Sequence, residues 1–399
     1  MKKMNLKKLL CLTAAVLLLA GALVVPTGAS SAYQTYTYSI GGTALYSPDA
    51  YTATKAVGAS EMGLESLLPE DAAADSTLGK LNNPSDLVTD KAKNVYIADT
   101  GNNRILVLDR YYKLKRVINT FTNSEGVPDA LAAPQGVFVS EPNKTYPERL
   151  IWVCDTANYR IVVFNEQGEF HRIIEEPEST LFDRSSVYKP IAIAVDEYNR
   201  LYVVSSTTYQ GIIVMTDDGT FTGFIGAQVQ SLSAWQIIWR RFQTKEQREN
   251  SEKVITTEFN NISINPSKNL VYATTSSIKD ADVESSIRGS DKSGKYSPVK
   301  LLNANGTEIM RRNGFWIPAG EVDYSSKSTD DITGPSTIVD VAVGPEDTWS
   351  MIDSKRNRVY TYDFDGNLLF AFGDNGTMLG NLGENGIKAI AYQGDVMLL

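Results

Sequence analysis

The sequence contains little of the chemistry on which many enzymes and disulfide-rich proteins depend. Only two cysteines, Cys11 and Cys154, and one histidine, His171, occur among 399 residues. Removal of an N-terminal leader would leave Cys154 alone, so we expect no internal disulfide and a buried, inert thiol at Cys154. A single histidine excludes zinc sites built from several histidines, and it allows a Ser-His hydrolase only if His171 itself serves.

Basic charge is also scarce. The chain has 38 Lys and Arg residues against 47 Asp and Glu residues, which gives a formal net charge of −9. A nucleic-acid binder needs a basic footprint, so the composition argues against a nucleic-acid partner. Charged residues make up 21% and apolar residues 42% of the chain, which is typical of a globular protein.

Long apolar runs are confined to the N-terminus. Four lysines among the first eight residues precede the apolar run Leu9–Val25, and small residues then lead to Ala32. This pattern is typical of a secretory signal peptide, here residues 1–32, cleaved before Tyr33. It predicts a secreted or cell-surface protein, although the run is long enough that an uncleaved membrane anchor stays open.

A motif of thirteen residues occurs three times, at Ile97–Asp109, Val153–Asn165 and Met351–Asp363. Each copy has an Asp after two apolar or small residues, a Ser or Thr next to it, an Arg five residues after the Asp, and then a β-rich run. Longer units surround these motifs and contain four short β-rich runs each, with Gly-containing turns between the third and fourth runs. About six such units can be read along the chain, and this arrangement predicts a β-propeller.

These units resemble the NHL repeat. The shared pattern is Pro-x-x-hydrophobic, then a Tyr-containing run that ends in Asp, then Thr or Ser-x-Asn-x-Arg-hydrophobic. The first, second and fifth units match closely, while the third and fourth diverge. The resemblance covers roughly residues 76–399 and implies an all-β, six-bladed propeller. It says little about function, because such propellers serve as enzymes, sensors and scaffolds.

The sixth unit stops at Leu399 after two runs. The stretch Thr35–Ser47 reads as a Gly-Gly hairpin, and we expect it to supply the missing strands, so that residues 33–75 close the propeller. A record truncated from a longer protein is the alternative, and the two explanations are compatible.

The repeated Asp and Arg residues have two interpretations. The pairs Asp99/Arg104, Asp155/Arg160 and Asp353/Arg358 are expected to form charge-assisted links within each unit. Asn102 and Asn158, which lie between the paired residues, are expected to accept a left-handed turn and to bond the backbone. Alternatively, some of these groups face the central mouth, and they are therefore candidate binding residues.

Long connections are predicted to gather on one face of the propeller, where recognition is usual. The insertion at residues 227–257 carries Trp235, Ile238, Trp239 and Phe242 at helical spacing, which predicts an amphipathic helix. Trp316 lies on another long connection. These tryptophans are candidates for stacking on sugar rings or contacting a partner, and the alternative is that they pack the insertions onto the propeller.

Two functions remain open from the sequence. The first is a non-enzymatic extracytoplasmic binding or scaffold propeller that recognises a protein or carbohydrate through the long-connection face. The second is a metal-dependent sugar lactone hydrolase similar to gluconolactonases, which requires a divalent cation such as Ca²⁺ at the channel mouth. Asp86, Asp340 and Asn261 lie early in first strands and are candidates by position, but no motif defines a metal site, so neither a cofactor nor a catalytic residue is predicted.

Overall fold

The computed structural model describes residues 33–73, 76–178, 187–207, 211–226, 259–323, 332–376, 380–383 and 386–399. Strands dominate this part of the chain. It also contains the α-helices Ala59–Met62 and Asp280–Arg288, and the 3-10 turns Leu64–Leu67, Thr100–Asn102, Thr156–Asn158 and Pro345–Asp347. No helix within these ranges has the length and apolar character needed to cross a membrane.

The strands are, in chain order, β1 (Thr35–Tyr38), β2 (Ala44–Ser47), β3 (Asp86–Thr89), β4 (Val95–Asp99), β5 (Arg104–Leu108), β6 (Leu114–Ile118), β7 (Thr120–Thr122), β8 (Pro128–Ala130), β9 (Gly136–Ser140), β10 (Leu150–Asp155), β11 (Arg160–Asn165), β12 (Phe170–Ile174), β13 (Pro190–Val195), β14 (Leu201–Ser205), β15 (Ile212–Met215), β16 (Phe221–Ile225), β17 (Phe259–Asn265), β18 (Leu270–Thr275), β19 (Val299–Leu302), β20 (Ile338–Val343), β21 (Trp349–Asp353), β22 (Arg358–Tyr362), β23 (Leu368–Phe372), β24 (Ala391–Gln393) and β25 (Val396–Leu398).

The strands form small antiparallel sheets, and apart from β1 and β2 their order follows the sequence. Four-stranded sheets contain β3 to β6, β9 to β12 and β13 to β16, and a three-stranded sheet contains β17 to β19. The fifth sheet contains β20 to β23 together with β1 and β2, and the sixth contains β24 and β25. The two middle strands of the first sheet, β4 and β5, are buried along their whole length. One face packs on the second sheet, and the other packs on the N-terminal segment around Met62 and Leu64. This explains their runs of Val, Ile and Leu.

The innermost strands contact one another in a closed cycle. β3 contacts β9, and the contacts continue through β13, β17, β20 and β24 back to β3. The apolar core is divided accordingly: Tyr96 and Ile105 of the first sheet pack with Val137 and Ile151 of the second. The predicted all-β propeller is therefore confirmed. The count of six full blades stays a prediction, because the sixth sheet has two described strands.

The N-terminal hairpin differs from the prediction. β1 pairs with β23, through Tyr36 opposite Ala371, so the hairpin extends the fifth sheet and does not supply strands to the sixth. The physical reason is the aromatic surface of the fifth sheet, where Tyr36 is buried in one cluster with Tyr360 and Tyr362.

The segment that follows the hairpin packs first on the fifth sheet and then on the first sheet. Tyr51 packs on Phe370 and Phe372 of the fifth sheet, with ring centroids 5.8 Å apart in both pairs. Further along, Met62 and Leu64 are buried in a cluster with residues of the first sheet, and Leu398 of β25 packs against the same cluster. The N-terminal region thus joins the fifth sheet to the first by side-chain packing.

Two further features concern the connections. The predicted helix around Trp235 and Trp239 lies outside the described residues. The helix Asp280–Arg288, which the sequence analysis did not predict, lies between β18 and β19 and buries Val283 and Ile287. Cys154, as expected, is a buried free thiol.

Candidate functional site

A cavity of about 570 Å³ lies where the innermost strands begin. In each repeat, two consecutive residues near the start of the first strand occupy equivalent positions. The first of each pair lines the cavity, and these residues are Ser85, Gln135, Ile191, Asn260, Val339 and Lys388. Because neighbouring strands are antiparallel, this end of the sheets also carries the connections between repeats and between second and third strands. We call this cavity the channel mouth.

The second residue of each pair sits where innermost strands approach one another. These residues are Asp86, Gly136, Ala192, Asn261, Asp340 and Ala389. At Gly136 a Cβ atom would lie 2.6 Å from the carbonyl oxygen of Ile191 in the next repeat. Glycine is therefore required there by close approach of backbones. Of the six positions, Asp86, Asn261 and Asp340 carry polar side chains.

The two aspartates make equivalent contacts with the following repeat. Oδ2 of Asp86 accepts the backbone N–H of Val137 at 2.8 Å, and Oδ2 of Asp340 accepts the backbone N–H of Ile390 at 2.8 Å. Oδ1 of Asp340 accepts the side-chain amide of Asn261 at 2.7 Å. Each carboxyl group therefore links neighbouring innermost strands.

Burial and mutual repulsion disfavour ionisation of this pair. Burial raises the pKa of Asp86 to about 7, although bonds from the N–H groups of Val137 and Leu87 oppose the shift. Burial also raises the pKa of Asp340 well above its usual range, and the negative charge of Asp86 adds to that effect. Near neutral pH the pair therefore carries less than two negative charges.

The polar atoms at the mouth do not fit a divalent cation in this arrangement. Both oxygens of Asp340 accept N–H groups, and Asn261 directs its amide nitrogen to Asp340 while its oxygen accepts the N–H of Ile262. Ca²⁺ requires six to eight oxygen ligands with free lone pairs. Among the described residues, no three His, Cys, Asp or Glu side chains are grouped to hold a metal.

The first two predicted Asp–Arg links are present. Nε of Arg104 donates to Asp99 at 2.7 Å, and Nε of Arg160 donates to Asp155 at 2.8 Å. The other oxygen of each aspartate accepts a backbone N–H from the segment entering the same repeat, at Asn82 and Ala132.

The third predicted link is wrong. Arg358 donates to Glu321 at 2.7 Å, and Arg356 takes its place beside Asp353 at 3.4 Å. Arg356 stands where the other two repeats have Asn102 and Asn158. Its longer side chain reaches Asp353 and the carbonyl oxygen of Gly334, so Arg358 is directed to Glu321.

Asn102 and Asn158 bond the backbone as expected, but they do not adopt the left-handed conformation. Asn102 and Asn158 each donate Nδ2 to the aspartate three residues earlier and to nearby backbone carbonyls. The left-handed residue is the next one along, Asn103 with φ 53° or Tyr159 with φ 60°. None of the Asp, Asn or Arg binding candidates lines the described channel mouth.

The tryptophan candidates divide into two groups. Trp235 and Trp239 lie outside the described residues. Trp316 is half-buried, and its Nε1 donates to the carbonyl oxygen of Ser39 at 2.8 Å, so it holds the N-terminal hairpin. A binding role for its exposed part stays a prediction. The mouth residues Ser85, Gln135 and Lys388 were missed, although their equivalent positions at the starts of the first runs were visible in the repeats.

Comparison with known proteins supports the repeat assignment. A family model described as "NHL repeat" matches residues 81–108, which span β3 to β5, so the predicted repeat type is confirmed for the first unit. A comparison with curated proteins finds no match.

The chain is similar to several solved structures. They include a streptogramin B lyase, with 11% identity over 72% of this chain and 68% of that chain and a TM-score of 0.40. Virginiamycin B lyase from Staphylococcus aureus shows 12% identity over 72% and 83%, with a TM-score of 0.40. Kuenenia stuttgartiensis hydrazine synthase shows 10% identity over 82% and 94%, with a TM-score of 0.46. With identities of 10–12% and TM-scores below 0.5, these similarities indicate nothing about the activity of this chain.

Proposed function

We propose that this NHL-repeat propeller is a non-enzymatic extracytoplasmic binding or scaffold protein that recognises a carbohydrate or a partner protein at its channel mouth. The observation that supports this function is the cavity itself. Side chains from successive repeats line it, and it lies at the end of the sheets where the long connections are located. Its volume of about 570 Å³ lies within the range usual for ligand sites, roughly 300–1,000 Å³.

The lining favours a neutral ligand rich in hydroxyl or amide groups. The side-chain amide of Gln135 offers a donor and an acceptor, which match sugar hydroxyls and peptide groups. Asn260 and Ser85 add polar lining, and their side chains also bond to Ile338 and to the carbonyl oxygen of Gln135. The raised pKa values of Asp86 and Asp340 limit the negative charge at the mouth, and Lys388 adds a positive one. This balance matches a neutral ligand better than a polyanion or a polycation.

Calorimetric titration of the exported protein with neutral oligosaccharides and with extended peptides tests this proposal. Gln135→Ala and Lys388→Ala are expected to weaken binding about tenfold each, because each removes a polar contact from the ligand. Lys91→Ala is the matched control, since Lys91 lies in the short β3–β4 turn at the opposite end. Equal loss in the control, or full binding by both mouth variants, would contradict a site at the mouth.

Export is part of the proposal and rests on the leader sequence. N-terminal sequencing of protein recovered from the medium or the cell surface is expected to begin at Tyr33. A chain retained with residues 1–32 intact in the membrane would support the anchored alternative.

The second candidate is the metal-dependent lactone hydrolase, favoured by Asp86 and Asn261 in the lining of the mouth and by Asp340, which bonds to Asn261. It requires these side chains to leave their present hydrogen bonds. Adding Ca²⁺ should then raise the melting temperature of the protein, and Asp340→Asn should abolish that rise together with lactone hydrolysis. An unchanged melting temperature would count against a bound ion.

A further inference from the structure

We propose that the outer edge of the N-terminal hairpin is a self-association surface, at which β2 pairs antiparallel with β2 of a second copy of this chain. β2 is the terminal strand of the six-stranded fifth sheet, and no strand in the described part of the chain pairs with its outer side. Leu45 is 51% and Tyr46 67% exposed.

This edge lacks the usual protection against pairing. Exposed edge strands commonly carry Lys, an internal Pro or a β-bulge that prevents association. Residues 33–48 contain no charged side chain, although 21% of the whole chain is charged. The pairing of β1 with β2 is regular from Thr35 opposite Ser47 to Tyr38 opposite Ala44, without a bulge.

The hydrogen-bond pattern of the hairpin determines which backbone groups face outward. The N–H of Ser39 donates to the carbonyl oxygen of Thr43 at 2.9 Å, so this pair is hydrogen-bonded. Hydrogen-bonded and non-hydrogen-bonded pairs alternate along an antiparallel ladder. Leu45 therefore bonds inward to β1, and the N–H and C=O groups of Ala44 and Tyr46 are directed to the open edge.

A strand fits this edge better than a lipid surface. Successive residues of a strand point to opposite faces, so Leu45 and Tyr46 lie on different sides of the hairpin. A flat bilayer would meet only one of them, and it would leave the outward N–H and C=O groups without partners. A docked strand satisfies those groups and packs against both side chains.

A second copy supplies a complementary strand. A two-fold axis normal to the sheet at Leu45 places the two Leu45 residues opposite each other and Ala44 opposite Tyr46 of the other copy. The outward backbone groups of Ala44 and Tyr46 then bond to each other across the axis. Each chain carries a net charge of −9, so contact between copies is least opposed at an uncharged surface such as this one.

Light scattering of the exported protein after size exclusion tests the proposal. Protein concentrations of about 5–500 µM are needed, because a short strand pair makes a small and weak interface. We expect the mass to rise towards that of a dimer with concentration. Tyr46→Lys places a charge at the edge, and Ala44→Pro removes an outward donor. Each is expected to weaken association at least about tenfold.

Tyr111→Lys is the matched control, since Tyr111 is 70% exposed in the turn between β5 and β6, away from the hairpin. It should associate like the unmodified protein. Melting temperatures of all variants report whether they remain folded. A monomer at every concentration, or a dimer unaffected by Tyr46→Lys and Ala44→Pro, would overturn the proposal. Recovery of a different protein bound to this edge of a monomeric chain would also overturn it.

Discussion

Arg104 and Asp99 form a buried ion pair at the turn between β4 and β5 of the first repeat. Nε of Arg104 lies 2.7 Å from Oδ2 of Asp99, and the two side chains are 3% and 0% exposed. The same guanidinium group donates to the carbonyl oxygens of Leu78 and Lys80 in the segment that enters the repeat. The pair therefore joins the two middle strands of the sheet to the segment that enters the repeat.

Removal of this arginine should destabilise the protein strongly. Arg104→Met leaves the carboxylate of Asp99 buried without its counter-ion, and we expect a loss of about 3–5 kcal/mol in the free energy of unfolding. Arg311→Met is the matched control, because Arg311 pairs with Asp365 at 2.6 Å while both side chains are about half exposed. Its loss should stay below about 1 kcal/mol. Urea unfolding measures both, and similar losses would contradict a structural role for the buried pair.

Glu321 should control the attachment of the N-terminal hairpin. This buried carboxylate accepts bonds from the hydroxyl of Tyr38 in β1 and from Arg358 in β22. Glu321→Gln keeps the shape but removes the charge, and we expect a loss of about 2–3 kcal/mol and faster amide exchange in β1. Glu125→Gln, at an exposed position, should change neither quantity. Unchanged exchange in β1 would show that packing alone holds the hairpin.

Asp86 should make stability depend on pH. The folded protein holds the proton of Asp86 up to about pH 7, whereas the unfolded chain releases it near 3.8. The folded state binds more protons in this interval, so this contribution is complete below about pH 3.8 and is lost as the pH rises through about 7.

The variant Asp86→Asn should remove that dependence while retaining the acceptor for Val137. We compare the free energy of unfolding of this variant with that of the unmodified protein at each pH. From about pH 4 to about pH 8 the difference should shift in favour of the variant by on the order of 1–2 kcal/mol, because only the unmodified protein loses the contribution of Asp86. This value allows for screening by water in the channel. Urea titrations at several pH values measure the difference. A difference independent of pH would contradict the raised pKa.

Gly136 should tolerate no side chain. In Gly136→Ala the new Cβ would lie 2.6 Å from the carbonyl oxygen of Ile191 and 2.9 Å from Cα of Ala192, so the two innermost strands must separate. We expect a loss of about 1–3 kcal/mol. Gly41→Ala is the control, because its nearest neighbour would be Oγ of Ser39 at 3.8 Å. Thermal unfolding compares the two, and an unchanged melting temperature for Gly136→Ala would show that the strands can move apart.

Local patterns explain why much of the fold and part of the site could be predicted. The starts and ends of β4, β5, β10 and β11 follow from β-rich runs bounded by turn residues, and the links of Asp99 and Asp155 follow from their repeated spacing to Arg. Asp353 has the same spacing, but its partner changed because Arg356 replaced a shorter asparagine. Which of two arginines bonds to one carboxylate depends on side-chain length and direction, and sequence separation alone does not predict these.

The sequence by itself determined the repeat, the antiparallel sheets and the burial of their middle strands, because these depend on side-chain alternation and turn chemistry within about fifty residues. Only the tertiary structure decided that β1 joins β23, since that choice depends on an aromatic surface more than three hundred residues away. It likewise decided that the charge of Asp86 raises the pKa of Asp340, because closure of the innermost strands brings together residues that the chain keeps apart.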